Sequence, residues 1–330
     1  MKTRRRSTLR ATLALAALCI ATPWSTASFA QDAWPTKPVR LVVPFAPGGS
    51  TDVIGRMLAQ KLGEIWGQTV LIDNRVGAGG NTGADIVAKS AADGYTLLLA
   101  SGSITINPHI YKHMPFDTKK DLVPITDVAS GPMLVVVPDD SPAKTVKDLI
   151  AMAKAKPGTV NFGSAGVGSQ VHLAGENFAN AAGIDIVHVP YKGEAPAYTD
   201  LIGHQTQMMV GNFAAASALL GPGRLRALAV TGKERSPLLP DVPTVAESGL
   251  PGFENTGWFG LFAPAGTPQA ILDKIQRDTV KVLAASDIKA RLYVQGMTTV
   301  GNTPAQFAKA MDDESKHWAA VVKSRKLSAN

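Results

Sequence analysis

Only one cysteine occurs in the 330 residues. A lone thiol supports neither a disulfide framework nor a cysteine metal cluster. Acidic residues are absent from the first thirty positions, MKTRRRSTLRATLALAALCIATPWSTASFA, which carry Lys2, Arg4, Arg5, Arg6 and Arg10 ahead of a short apolar stretch. With small Ser28 and Ala30 before Gln31, this reads as a secretory signal peptide over 1–30, cleaved after Ala30. Arg5-Arg6-Ser7-Thr8-Leu9 leaves twin-arginine export open, although Thr8 stands where such leaders prefer a bulkier apolar residue. Cys19 belongs to the leader, and Leu18 precedes it where a lipoprotein signal needs a small residue.

Without the leader, 28 of the 33 basic residues face 26 acidic ones, so the formal +7 falls to +2. No basic stripe for nucleic acid is left. After residue 30 there is no uninterrupted apolar run of about 18 residues, so the mature chain is expected to be soluble and not inserted in a membrane. About 300 residues are ample for two cores.

The order of apolar runs and helical patterns suggests how the mature chain is arranged. VRLVVPF reads as a strand, PGGS as a tight loop and STDVIGRMLAQKLGEIWG as a helix, with Ser50 or Thr51 as its N-cap. QTVLIDN, ADIVAKSA and YTLLLASGS continue the alternation of a parallel α/β sheet. A second series of the same type runs from MLVVVP to LRALAVTG. GFENTGWFGLFAPAGTP then reads as an extended return segment, followed by helices without a sheet of their own, the last with Pro304 in its first turn. The expected architecture is α/β in two lobes, 31–130 plus 254–330 and 131–253, with strand ends facing a cleft from both sides.

The loops at those strand ends share one chemistry: FAPGGSTD (45–52), ASGS (100–103), FGSAGVGS (162–169), VPYKG (189–193) and VGN (210–212). Several open helices, and they offer backbone N–H groups and hydroxyls with little side-chain charge. Such donors suit a carboxylate or phosphate oxygen. Asp52 fits a first-turn acid complementing its helix, and Lys192 is the sole cation of the five loops.

Catalytic patterns are scarce. Gly163 and Gly168 have phosphate-loop spacing, but Ser169 stands where the lysine belongs. GAGGNTG does not have dinucleotide-binding spacing, and neither a nucleophile elbow nor a zinc motif is present. No cofactor or metal is therefore expected. His172 could approach the cleft but fits helix packing better, while His188 sits in an apolar strand and His109, His113, His204 and His317 are scattered. Trp258 and Phe259 fit either a cleft wall or an interdomain core.

WPTKPVRLVVPFAPGGSTDVIGR, GAGGNTGADIVAKSAADGYTLLLAS, DLVPIT, LVVVP, VNFGSAGVGSQVHLAGE, VPYKG, LRALAVTGKERSPLLPDVPTVAESG and WFGLFAPAGTP together resemble the extracytoplasmic receptors of tripartite tricarboxylate transporters, the Bug receptors, over essentially the whole mature chain. The resemblance implies a type II periplasmic binding fold, a Venus flytrap that closes on a small carboxylate, and no catalysis. It implies a periplasmic monomer that delivers ligand to integral-membrane transporter subunits. Carried over, the ligand residues are Phe45, Gly48, Gly49, Ser50, Thr51, Asp52, Ser101, Gly102, Ser103, Ser164, Ala165, Gly166, Gly168, Ser169, Tyr191, Lys192 and Asn212.

One departure is Gly211, where family members commonly carry an acid before the asparagine. Apart from Asp52 and Glu194, the loops then offer no counter-charge for an ammonium group, so a plain mono- or dicarboxylate is the expected ligand. Neutral donors are expected to hold it, with Ser164→Ala costing about tenfold or more in affinity and Lys192→Ala less. Three alternatives remain. A sensor for a signalling partner would use the same site, an exported carboxylate-acting enzyme would need a general acid or base in the cleft, and a LysR-like regulator would begin with a helix-turn-helix instead of a leader.

Overall fold

The computed structural model describes residues 34–325 and 327–329. The expected signal peptide lies outside these residues. Residues from Lys37 onward form one compact unit, which carries every strand and helix described.

This unit opens with β1 (Val39–Val43), α1 (Ser50–Trp66), β2 (Val70–Asn74), α2 (Asn81–Ala88), β3 (Thr96–Ser101), α3 (Ser103–Ile110) and the short α4 (Thr118–Asp121). β1 pairs parallel with both β2 and β3. The apolar spacing read for α1 buries Ile54, Met57, Leu58 and Leu62, and Gly67 ends the helix in the left-handed region at φ 62°. Its N-cap is Gly49, with no side-chain cap, and Ser50 is already the first helical residue. This corrects the expected Ser50 or Thr51 cap: the Ser50 hydroxyl instead accepts a hydrogen bond from the Ala215 N–H at 3.1 Å.

A single strand of 17 residues, β4 (Leu122–Pro138), joins two sheet regions. The second region contains α5 (Val146–Ala155), β5 (Asn161–Ser164), α6 (Gln170–Ala182), β6 (Val187–Pro190), α7 (Glu194–Ile202), β7 (Met208–Asn212), α8 (Phe213–Ala216) and β8 (Leu225–Val230). The chain returns through β9 (Thr256–Pro264) to α9 (Gln269–Ala284), α10 (Ser286–Tyr293), β10 (Thr298–Thr299) and α11 (Pro304–Arg325). Along the sheet the order is β2-β1-β3-β9-β4-β7-β5-β6, with β8 and β10 also on β4.

β4 extends further toward the N-terminus than MLVVVP suggests. Its Leu122–Pro132 part pairs antiparallel with β9, while Met133–Pro138 pairs antiparallel with β7 and β8. Register shifts near Pro124/Thr126 and Asp127/Ala129 let a proline-containing strand run through. The C-terminal helices are also not without strand, because β10 pairs with Ser130 and Ala129 of β4.

One core gathers Val42, Leu98, Phe262 and Phe307, and a second gathers Leu134, Val135, Phe162, Phe178 and Val210. A smaller cluster joins Ile106 and Ile110 of α3 and Trp318 of α11 to Leu173 of α6, so apolar packing spans the two regions. β1 and β3 run parallel, as do β5, β6 and β7, which brings the strand-end loops of each region to a common edge.

Candidate functional site

The loop after β1 and the first turn of α1 meet the beginnings of α6 and α7 and the end of β7. Phe45, Gly49, Ser50, Thr51, Ser101, Ala165, Ser169, Gln170, Val171, Glu194 and Asn212 line a cavity of about 10 Å³ there. That volume is enough for about one water molecule. The regions touch all along this line: Ala46 N–H donates to the Lys192 carbonyl at 3.1 Å, Ser50 N–H to Glu194 at 3.0 Å, and the Tyr111 hydroxyl to the Val167 carbonyl at 2.9 Å. Gly79 lies so close to Val167 that a Cβ would overlap the carbonyl oxygen. The arrangement is closed.

Helix geometry supplies the donors. The first-turn N–H groups of a helix have no intrahelical acceptor, and the macrodipole places positive potential there. α1 contributes Ser50 and Thr51 at this point and α6 contributes Gln170 and Val171. Ser169 caps α6 by accepting from the His172 N–H at 3.2 Å. The Ser101 hydroxyl adds a further polar group and pairs with that of Ser103 at 3.2 Å.

No lysine or arginine lines the cavity; its one ionisable group is Glu194, which is 5% exposed. Glu194 Oε1 accepts from the N–H and the side-chain amide of Asn212, each at 3.0 Å, and Oε2 accepts from Ser50 N–H. Burial raises its pKa, and these donors oppose the shift. Asn212 Oδ1 accepts from the Gln170 amide at 3.0 Å, and Gln170 Oε1 accepts from Gly102 N–H at 3.1 Å and Trp258 N–H at 3.4 Å. Trp258 passes the chain on to half-buried Glu314, which also accepts from Thr105 and Trp318. A polar network thus runs from α1 through α7, β7 and α6 to β9 and α11.

Other residues expected at the site are turned elsewhere. Gly48 N–H donates to Asp52, whose carboxylate also receives Arg56 and Asn74. Burial acts to raise the Asp52 pKa, but these bonds outweigh it and the net shift is downward. Gly102 and Ser103 stand behind the lining, through Gln170 and Ser101. The Ser164 hydroxyl points into its own loop, accepting from Gly166 N–H at 3.0 Å and pairing with His188 Nε2 at 2.6 Å. Gly166 and Gly168 adopt φ of 114° and 81°, and Gly168 N–H donates to His172 Nδ1 at 3.2 Å. The Tyr191 hydroxyl donates to Asp200 at 2.8 Å, and Lys192 is exposed.

His172 and His188 stack at 3.9 Å, with burial lowering their pKa values to about 3 and about 4. Both rings are neutral near pH 7. They brace the loop from behind, consistent with packing.

Gln170, Val171 and Glu194 are the lining residues missing from the set expected from sequence. Each lies in the first helical turn beyond a recognised loop. Extending each loop by one turn would have found them.

The tripartite tricarboxylate transporter family receptor model matches residues 54–327. Among solved structures, the chain is similar to R. palustris Rpa4515 with adipate at 36% identity and TM-score 0.87, over 89% of this chain and 99% of that one. It is similar to the periplasmic binding protein BugD at 34% identity and TM-score 0.86, over the same shares. MatC (Rpa3494) from Rhodopseudomonas palustris, with bound malate, is 31% identical with TM-score 0.82, over 87% of this chain and 99% of that one.

Proposed function

Because the chain belongs to the tripartite tricarboxylate transporter receptor family, a family of periplasmic solute-binding receptors, we propose that it captures a small organic carboxylate between two lobes and delivers it to the membrane subunits of such a transporter. The lobes are 31–130 plus 254–330 and 131–253, joined where β4 and the segment before β9 cross. The observation that carries this reading is the convergence of the α1 and α6 N-termini, from opposite sides, on one polar cavity without a cation. Hydrogen bonds to a charged group contribute about 1.5–3 kcal/mol each, so a few preorganised donors suffice without an ion pair. The adipate and malate bound to related proteins support the ligand class.

A cavity this small makes opening part of the cycle: the lobes separate to admit the ligand, and contacts made to both favour reclosure. No helix among the described residues is long and apolar enough to cross a membrane, which fits a receptor acting beside its membrane partner. The ligand leaves chemically unchanged. Two measurements test the proposal: mass spectrometry of the small molecule released when freshly purified protein is denatured, and scattering with and without that molecule. A carboxylate and a smaller radius of gyration on binding are expected. Release of a non-carboxylate, or turnover of the bound molecule, overturns the reading.

A further inference from the structure

Glu194 is an acid in the wall of a cavity that the carboxylate reading assigns to an anion. Three N–H bonds at 3.0 Å, two from Asn212 and one from Ser50, fix its carboxylate in place. Among the described residues it forms no ion pair, since Arg56 is engaged by Asp52 and Lys192 is exposed. Asp52, the other acid of these loops, is neutralised by Arg56 and further held by Asn74 and Gly48. Glu194 is therefore the acid the cleft presents without a cation of its own.

Resting on the carboxylate-receptor reading, we infer that Glu194 is a fixed counter-charge selecting a ligand that carries an ammonium group beside its carboxylate, in preference to a dicarboxylate. A second carboxylate beside Glu194 would place two like charges in a nearly dry site, where only one ionises readily. An ammonium there pairs with an acid already desolvated, while the ligand carboxylate faces Thr51 and the first turn of α6. This reverses the expectation of a plain mono- or dicarboxylate. That expectation came from the glycine at 211 and left Asp52 and Glu194 undistinguished.

The test uses the purified mature protein, unfolded and refolded to strip ligand, with calorimetry against the protein amino acids, 4-aminobutanoate, malonate, succinate, malate and adipate. At least one ammonium carboxylate should bind about tenfold or more tightly than the best dicarboxylate. Glu194→Gln cannot accept on both side-chain atoms and so weakens closure for every ligand, but it should also cut the advantage of the ammonium carboxylate over the best dicarboxylate about tenfold or more, while Glu194→Asp, which retains the charge, should preserve the preference. Far-UV circular dichroism checks that each variant folds. A dicarboxylate as the tightest ligand of the wild type, or an unchanged ratio in Glu194→Gln, overturns the inference and leaves the receptor reading intact. Failure of every probe to bind overturns both.

Discussion

Replacing Gln170 by leucine should uncouple closing from folding. Gln170 is 6% exposed, and its amide joins the two regions by accepting from Gly102 and Trp258 and donating to Asn212. Leucine conserves most of the volume but leaves Gly102 N–H and Asn212 Oδ1 unpaired in the closed state. An unsatisfied buried polar group costs about 1–3 kcal/mol, so closing is disfavoured by about 2–4 kcal/mol, allowing for partial relaxation. In the open state water reaches both groups and the penalty is largely absent. Ligand affinity, which depends on closing, should fall about thirtyfold to several hundredfold. The unfolding temperature of ligand-free protein should move far less. Calorimetry with the ligand recovered from the protein, paired with thermal melts and scattering, separates the two effects. Unchanged affinity, or a melting temperature that falls in step with affinity, would refute a role in closing.

Asp127→Asn should stabilise the protein at alkaline pH. Asp127 Oδ1 is buried without a partner, and burial, followed by the charge of Glu314, raises its pKa from 3.8 to about 7. The native state therefore holds this proton more tightly than the unfolded chain, and wild-type stability falls as pH rises from about 4 through 7. Denaturant titrations should find the variant ahead by about 1–3 kcal/mol at pH 8 and level at pH 4, after discounting the full shift for partial hydration; no difference between the two pH values contradicts this. Ser164→Ala should lower stability by about 1–2 kcal/mol, because its hydroxyl serves Gly166 and His188 instead of the cavity, with little change in affinity. Lys192→Ala should be silent in both measurements, and a large loss of affinity in either variant would return that residue to the ligand shell. Gly79→Ala should weaken ligand about tenfold or more, since φ 60° disfavours a side chain and the new methyl meets the Val167 carbonyl across the cleft; unchanged calorimetry would mean that this contact is not needed for closing.

Much of this geometry was written locally. Short valine- and leucine-rich runs mark β1 and β3 and the glycine- and serine-rich FGSAGVGS marks the end of β5, and these strand ends and the loops after them supply Phe45, Gly49, Ser50, Thr51, Ser101, Ala165 and Ser169 to the cavity wall. Side-chain direction was not written there. Ser164 and Ser169 read alike as hydroxyls in one glycine-rich loop, yet the ring of His188, a residue distant in sequence, draws Ser164 inward. Tyr191 likewise turns to Asp200 on the following helix. Long-range pairing was equally hidden: MLVVVP marks only the C-terminal part of β4, whereas its earlier residues are held in the sheet by β9, with register shifts at Pro124/Thr126 and Asp127/Ala129, so β4 runs unbroken between the two regions.

The glycine at 211 illustrates how a deletion in sequence is a substitution in space. A Cβ there would overlap the hydroxyl of Tyr198, whose ring is fully buried on α7. Tyr198 stands four residues after Glu194 on that helix, so the two side chains project from one helical face. An acid at 211 and the tyrosine at 198 exclude each other sterically, whereas an acid at 194 is compatible with both the tyrosine and the glycine. An acid is thus present in the cleft, but it enters from the start of α7 and not from the end of β7. From that position it is held by Asn212, the residue next to the glycine, and by Ser50 of the opposite region. Reading 211 alone suggests an uncharged cleft; reading 194, 198 and 211 as one packed unit places the charge and the lobe-to-lobe contact on the same carboxylate.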